Sequence, residues 1–320
     1  MPTPSNGSAT RAEMDLTAHI GGGLVLRNPV MLASGTCGYA AEYADLVDLS
    51  RLGGVVTKTI TYTPRAGNPP PRTAETPAGM LNSIGLTNPG LDGFIEEKLT
   101  DLQELDTARV VSIAGTSNEE FAEMAERLND QEGIDALELN ISSPNMKDGG
   151  QLFGCRKQAA HGVTAAVKAV SRLPVIVKLT PNVTNIASVA AAVEEAGADG
   201  IALINTLLGM AVDAHSRRPV LGNITGGLSG PAIKPVALAM VWKVADRVSV
   251  PVIGMGGISS PEDAIEFLIV GASAVQVGTA TFVDPWSAPE IVDGMVGYCK
   301  AHGVGRIADL VGTLETEPQS

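Results

Sequence analysis

Two lysines and four asparagines stand where a binding chemistry would want them, at the ends of apolar runs or on long polar loops. Lys58 ends the run GVVTK, Lys178 ends VIVK, Asn140 ends ALELN, and Asn205 with Thr206 ends IALINT. Asn82 and Asn145 lie on two Pro/Gly/Asn-rich stretches, residues 61–90 and 142–155. Lysines hold anionic charge, and amides orient a small ligand rich in carbonyls, N–H groups and a carboxylate. Gly256-Gly257 in GMGGISSPED and Gly278-Thr279 in VGTATF add bare backbone N–H groups just before helix starts, an arrangement that cradles a phosphate. Glycine turns and solvated lysines are the plain alternative at each position. Six such residues around one mouth exceed it.

Other chemistries find no support. His19, His161, His215 and His302 are scattered and none ends an apolar run, so no hydrolase triad is suggested. HExxH is absent and no carboxylates are placed for a metal, so no metal is expected. Cys37, Cys155 and Cys299 lie far apart without a CxxC pair, which excludes a disulfide scaffold and an iron–sulfur or zinc site built from this chain alone. Lys+Arg 22 against Asp+Glu 35 gives a net charge of −13, which argues against nucleic acid as a partner. The longest apolar run, GIALINTLLGMAV, is short and broken by Asn205 and Thr206, so no membrane span is expected. The opening MPTPSNGSATRAEM is polar, reads as neither signal peptide nor anchor, and is expected to be disordered over 1–14. These features together imply a soluble, cytoplasmic enzyme.

The elements that must position these residues follow one rhythm. Eight short apolar runs occur near residues 29–34, 54–59, 109–114, 136–141, 175–179, 200–205, 251–256 and 273–278, with helical patterns between them. Continuous β-branched runs without polar alternation are strands buried on both faces, the mark of a parallel sheet. Ser117 with Glu120 predicts a capping box, and Ser260-Pro261-Glu262-Asp263 puts a cap residue, an N1 proline and first-turn acids before a helix. IASVAAAVEEAGADG predicts a helix ending at a glycine before the sixth strand. Eight β–α units with right-handed crossovers close into a (β/α)8 TIM barrel, α/β in class, with a doubly wound open sheet as the runner-up. The domain expected is a single barrel over 15–320. Both long stretches follow strands, at the face where barrel active sites are built. From the residues alone, this is a barrel for a phosphorylated cofactor and a small polar anion.

The motifs carry the reading further. NPVMLASGTCG, TKTITYTPRAGNPPPR, MLNSIGLTNPG, LNISSPNMKDGG, VKLTPNVT, INTLLGM, NITGGLSGPAIKPVAL, GMGGISSPEDA and ASAVQVGTA run in order along the chain. Together they closely resemble dihydroorotate dehydrogenase, class 1, from about residue 15 to 315. The resemblance implies one FMN per chain, held by Ser34, Lys58, Thr59, Asn140, Lys178, Ile204, Gly230, Gly256, Gly257, Gly278 and Thr279. It implies dihydroorotate or orotate surrounded by Lys58, Asn82, Ser83, Ile84, Gly85, Leu86, Asn140, Asn145, Asn205 and Thr206. It implies oxidation of dihydroorotate to orotate in pyrimidine biosynthesis, with hydride to FMN N5 and the C5 proton to Ser143. The flanking motifs are closest to the type that works with a second subunit carrying FAD and [2Fe-2S] and passing electrons to NAD. A homodimer core, extended to a heterotetramer by that subunit, is the assembly implied.

Two positions depart from that pattern. Class 1 members carry cysteine as the base where this chain has Ser143, in SSPN rather than SCPN. A serine hydroxyl is a far weaker acid than a thiol and needs help to act as a base. Cys155 is the alternative base, although its place suits the exit of the loop. Ser112 stands where relatives place an FMN-contacting asparagine, and it is left out of the site. Three other readings stay open: the same oxidation with fumarate as direct acceptor, another FMN barrel acting on pyrimidines, and a flavin-binding subunit without catalysis.

Overall fold

The computed structural model describes residues 14–141 and 153–316. Residues 1–13, 142–152 and 317–320, and with them Ser143, Asn145 and nearly all of the polar opening, lie outside the described residues. Eight parallel strands form the frame: β1 (Val30–Leu32), β2 (Gly54–Val56), β3 (Ala108–Ala114), β4 (Ala136–Asn140), β5 (Val175–Lys178), β6 (Gly200–Leu203), β7 (Val252–Met255) and β8 (Ala274–Val277). Each pairs with the next in the chain, and β8 pairs with β1, so the ring closes. The barrel, not the open sheet, is the architecture. Every one of the eight expected apolar runs supplies a strand.

Eight principal helices follow the strands in turn: α1 (Ala41–Ala44), α2 (Gly90–Glu97), α3 (Asn118–Leu128), α4 (Lys157–Lys168), α5 (Ile186–Glu195), α6 (Lys234–Ala245), α7 (Pro261–Ile269) and α8 (Ser287–His302). At α7 the Ser260 side chain accepts from Asp263 N, and Asp263 returns a bond to Ser260 N, a full capping box with Pro261 at the first position. At α3 only half of the expected box forms. Ser117 accepts from Glu120 N, but the Glu120 carboxylate turns to the backbone N and hydroxyl of Thr116 instead. Thr116 offers two donors one residue upstream, so it outcompetes the single N–H of Ser117. Among the described residues no helix is long and apolar enough to cross a membrane.

An antiparallel hairpin, Ala18–Gly21 with Leu24–Leu26, closes the end of the barrel where the strands begin. Gly21 lies so close to Asp199 and Pro251, just before β6 and β7, that an added Cβ would stand 1.8 Å from Asp199 O. Its Ile20 and Leu26 meet Met31, Val56, Val110, Ala136, Ile176, Ala202, Ile253 and Ala274 in one apolar cluster. A larger cluster lies between the strands and the surrounding helices. At the other end, the stretches after β2 and β6 join. Thr73–Thr76, Gly79–Asn82, Thr225–Ser229 and Leu207–Met210 form a four-stranded antiparallel sheet over one side of the mouth.

Candidate active site

The strands end at a cavity of about 1120 Å³ at the mouth of the barrel. This volume exceeds the range of roughly 300–1,000 Å³ usual for one small molecule, enough for a cofactor and a substrate together. All eleven residues expected around the cofactor line it, from Ser34 after β1 to Thr279 after β8. Of the residues expected around the substrate, Asn82, Ile84, Gly85, Leu86, Asn205 and Thr206 line it too, beside the shared Lys58 and Asn140. Ser83 does not. It is fully buried, because alternation along the chain turns it away from the side that Asn82 and Ile84 present. Ser83 contributes through its backbone, donating from N to Arg72 O at 2.7 Å and accepting at O from Asn68 Nδ2 at 3.0 Å.

Each wall has a local cause. After β2 the chain leaves the ladder for three residues and rejoins β3 through Ile60 and Thr61. In that break Lys58 N donates to Gly38 O at 2.8 Å, which fixes where the lysine enters the cavity. Burial holds the Lys58 ammonium below the ordinary lysine value, the Arg72 guanidinium adds to this, and Glu42 opposes it. Thr59 is a hub: its Oγ1 lies 3.3 Å from Ser34 Oγ and 2.9 Å from Ser112 Oγ, and accepts from Asn140 Nδ2 at 3.0 Å. Ser112 is therefore a support beneath the floor and not part of the lining. Asn88 closes the long stretch after β2, accepting from Thr61 N and Gly90 N and donating to Thr61 Oγ1.

The glycine turns after β7 and β8 make the opposite wall. Gly257 has φ +80°, and a Cβ there would stand 2.8 Å from Lys234 N and 2.9 Å from Gly230 O. Backbone alone fits, so the turn presents a bare surface to the cavity. Lys234 is tied to Asp263 at 2.5 Å and Glu266 at 2.8 Å, which locks the start of α6 to α7 behind that turn. Thr279 Oγ1 donates to Ser229 Oγ at 2.8 Å, joining the end of β8 to the antiparallel sheet. A surface built from closely packed backbone turns beside two lysines fits the phosphate and the polar ring edge of FMN.

The barrel interior below the cavity is also polar. Glu138 and Gln276 are fully buried, and Glu138 lies 3.5 Å from Lys178. Sequence reading passed over both, and over Ser229 and the Thr73–Thr76 strand that line the same space. Their only signal was a single polar residue inside an apolar run, ALELN for Glu138 and SAVQVG for Gln276.

Comparison with known proteins agrees with this geometry. Residues 17–297 match the family described as dihydroorotate dehydrogenase. The chain belongs to the dihydroorotate dehydrogenase family. Among its relatives is the dihydroorotate dehydrogenase B (NAD(+)) catalytic subunit of Pelobacter propionicus, 54% identical over 301 residues, 94% of this chain and 99% of that one. The protein of the same name from Bacteroides thetaiotaomicron is 48% identical over 301 residues, with the same shares covered. In structure the chain resembles the dihydroorotate dehydrogenase of Eimeria tenella, solved in complex with ferulenol. The TM-score is 0.77 and the identity 24%, over 95% of this chain and 90% of that one, which speaks to the fold. Dihydroorotate dehydrogenases are FMN-dependent oxidoreductases acting on a CH–CH bond, and the class 1 resemblance read from the motifs holds.

The cysteines divide by position. Burial pushes the Cys37 thiol up to about 12, far from a reactive thiolate. Cys155 follows the loop after β4 and does not line the cavity; its Sγ lies 4.0 Å from Asn182 O. Desolvation holds its thiol above the ordinary value as well.

Proposed function

We propose that this chain is the FMN-carrying catalytic subunit of an NAD-linked dihydroorotate dehydrogenase, oxidising dihydroorotate to orotate in the cytoplasm as part of pyrimidine biosynthesis. The observation that carries the proposal is the one cavity lined by Lys58, Lys178, Asn140, Asn205 and the two glycine turns. The eleven residues from Ser34 to Thr279 would hold FMN, which when bound would supply a two-electron acceptor for the hydride leaving substrate C6. Lys58 and the amides of Asn82, Asn140, Asn145 and Asn205 bind and orient the substrate carboxylate and its ring carbonyls and N–H groups. Gly85 and Leu86 line the same cavity beside it.

Ser143 takes the C5 proton at its Oγ, passing its own hydroxyl proton to water, as the C6 hydrogen leaves as hydride and the C5–C6 double bond forms. Its position in the chain supports this role. Three residues span at most roughly 11 Å, so Ser143 stays within reach of Asn140, which lines the cavity. The exit of the same loop is tied back beside the site, because Gly154 N donates to Ile141 O at 2.8 Å. A partner subunit holding FAD and [2Fe-2S] would take the electrons onward, docked on a homodimer core of this chain, whose residues 15–320 act as one barrel domain.

The experiment is direct. Purified protein should be yellow, hold one releasable FMN per chain, and form orotate from dihydroorotate with a dye acceptor. Co-purification from the native source should bring a subunit whose absorbance shows FAD and an iron–sulfur cluster. A colourless protein that takes up no FMN after reconstitution would overturn the reading, and fumarate-coupled turnover by the isolated chain would overturn the assignment of the acceptor.

A further inference from the structure

The layer under the cavity holds a carboxylate that the proposed reaction does not use. Glu138 lies on β4 two residues before Asn140, so the period of two along a strand turns both into the barrel. Its side chain is 0% exposed, and its Oε1 stands 3.5 Å from Nζ of Lys178, itself 6% exposed. Gln276 reaches from β8 across the interior and donates from Nε2 to Glu138 Oε2 at 3.0 Å. Glu138 Oε1 and Gln276 Oε1 have no hydrogen-bond partner among the described residues. Lys178 and Gln276 also line the cavity.

A buried ion pair is a poor stabiliser, because taking two charges out of water costs about as much as their attraction returns. The pair does supply a charged and directed ammonium in a dry place. Without Glu138, the Lys178 ammonium would be a buried cation with no carboxylate beside it to offset its desolvation or to fix its direction. Among the described residues, no other charged group lining the cavity replaces it. Lys58 has the wrong sign, and Glu75, Asp284 and Glu290 are exposed and screened by water.

We propose that Glu138 is a positioning residue, which aims the Lys178 ammonium at the cofactor while Gln276 fixes the carboxylate. This rests on the FMN reading above. The electrostatic environment of the flavin is thus set one layer below the residues that touch it.

The test uses holoprotein reconstituted with FMN, in wild type, Glu138→Gln, Lys178→Met and the double variant. The readouts are the two-electron midpoint potential of the bound flavin, the FMN dissociation constant and the thermal midpoint of the apoprotein. Glu138→Gln should lower the potential in the same direction as Lys178→Met, changing the ratio of reduced to oxidised cofactor by roughly tenfold or more. In the Lys178→Met background it should add little, because the two residues act as one unit. A potential that is unchanged or raised in Glu138→Gln, or a full effect without Lys178, overturns the proposal. So does a purely structural outcome, in which the thermal midpoint falls and the potential stays fixed. If Glu138→Gln does not fold, Gln276→Met carries the same test, with a smaller fall expected and no change overturning. Wild-type protein that takes up no FMN sinks the flavin reading and this proposal with it. A yellow protein whose potential ignores Glu138 sinks this proposal alone.

Discussion

The two ends of one barrel are built on the same backbone rule and filled with opposite chemistry. At the closed end the inward positions are Met31, Val56, Val110, Ala136, Ile176, Ala202, Ile253 and Ala274, packed on Ile20 and Leu26 of the hairpin. Two residues further along, the inward positions become Ser112, Glu138, Lys178 and Gln276 on their strands, with Lys58 in the break just after β2. Period-two alternation carries across the boundary unchanged, so the switch lies only in residue type. The closed end gains stability from buried apolar surface. The open end buries groups that cost stability unless each finds a partner, and it is there that the residues proposed to bind the ligands gather. Stability and function are therefore divided along the barrel axis, a few ångströms apart on each strand.

That division is most sharply broken at Ser143. Ser143→Ala should keep FMN and orotate binding, because Lys58, Asn140 and Asn145 are untouched. Single-turnover flavin reduction by dihydroorotate should slow by roughly 10²–10⁴-fold, the usual worth of a positioned general base. Ser143→Cys should retain activity with its pH profile displaced to lower pH, since a thiol releases its proton more readily than a hydroxyl. Near-normal reduction in Ser143→Ala, with loss in Cys155→Ala, would move the base to Cys155.

At the closed end the expected change is in stability alone. Ile20 is 1% exposed in the hairpin plug, and Ile20→Ala should cost about 2–5 kcal/mol through lost burial and the cavity left behind. Flavin content and reduction rate per folded molecule should not move. Denaturant titration alongside stopped-flow reduction checks both halves, and a slowed reduction would mean that the ends are coupled. Ser112→Ala sits between the two cases. It removes the partner 2.9 Å from Thr59 Oγ1, for about 1 kcal/mol of stability. Since Thr59 keeps its bond from Asn140, FMN affinity should weaken by less than about tenfold in a fluorescence titration.

How far the sequence foretells this arrangement depends on the distance over which each feature is decided. All eight strands and the α7 cap are legible because apolar runs and the Ser260-Pro261 signal are local. Lys58, Asn140, Lys178 and Asn205 are legible because they interrupt or end those runs where a barrel opens. Glu138 and Gln276 are not, because their meaning comes from meeting each other across 138 residues of chain. The strands Thr73–Thr76 and Gly79–Asn82 read as irregular loop for a similar reason. They are short, flanked by proline and glycine, and the outer partner of their hairpin is Thr225–Ser229, far along the chain. At α3, the choice of the Glu120 carboxylate between Ser117 and Thr116 turned on geometry that a spacing rule does not contain.

The smallest effect is expected at Lys58, and its sign separates the two ends of the barrel most cleanly. Burial and the neighbouring Arg72 hold the folded ammonium below the ordinary lysine value of 10.5. Between the lowered folded value and 10.5, the unfolded chain binds more protons than the folded one, so stability rises with pH across that window. Below the window both states are protonated and the full cost of the desolvated charge is present. Lys58→Met should therefore stabilise the apoprotein at neutral pH, by about 1–2 °C in thermal midpoint for a half-buried group screened by solvent. The gain should shrink as the pH approaches 10.5. The same substitution should weaken FMN retention and orotate binding, since both ligands are anions. Thermal scans of the apoprotein at several pH values, paired with ligand titrations, test the two signs together. A variant less stable than wild type at neutral pH would show that Lys58 serves the fold as well as the ligand, and would erase the division between the ends of the barrel.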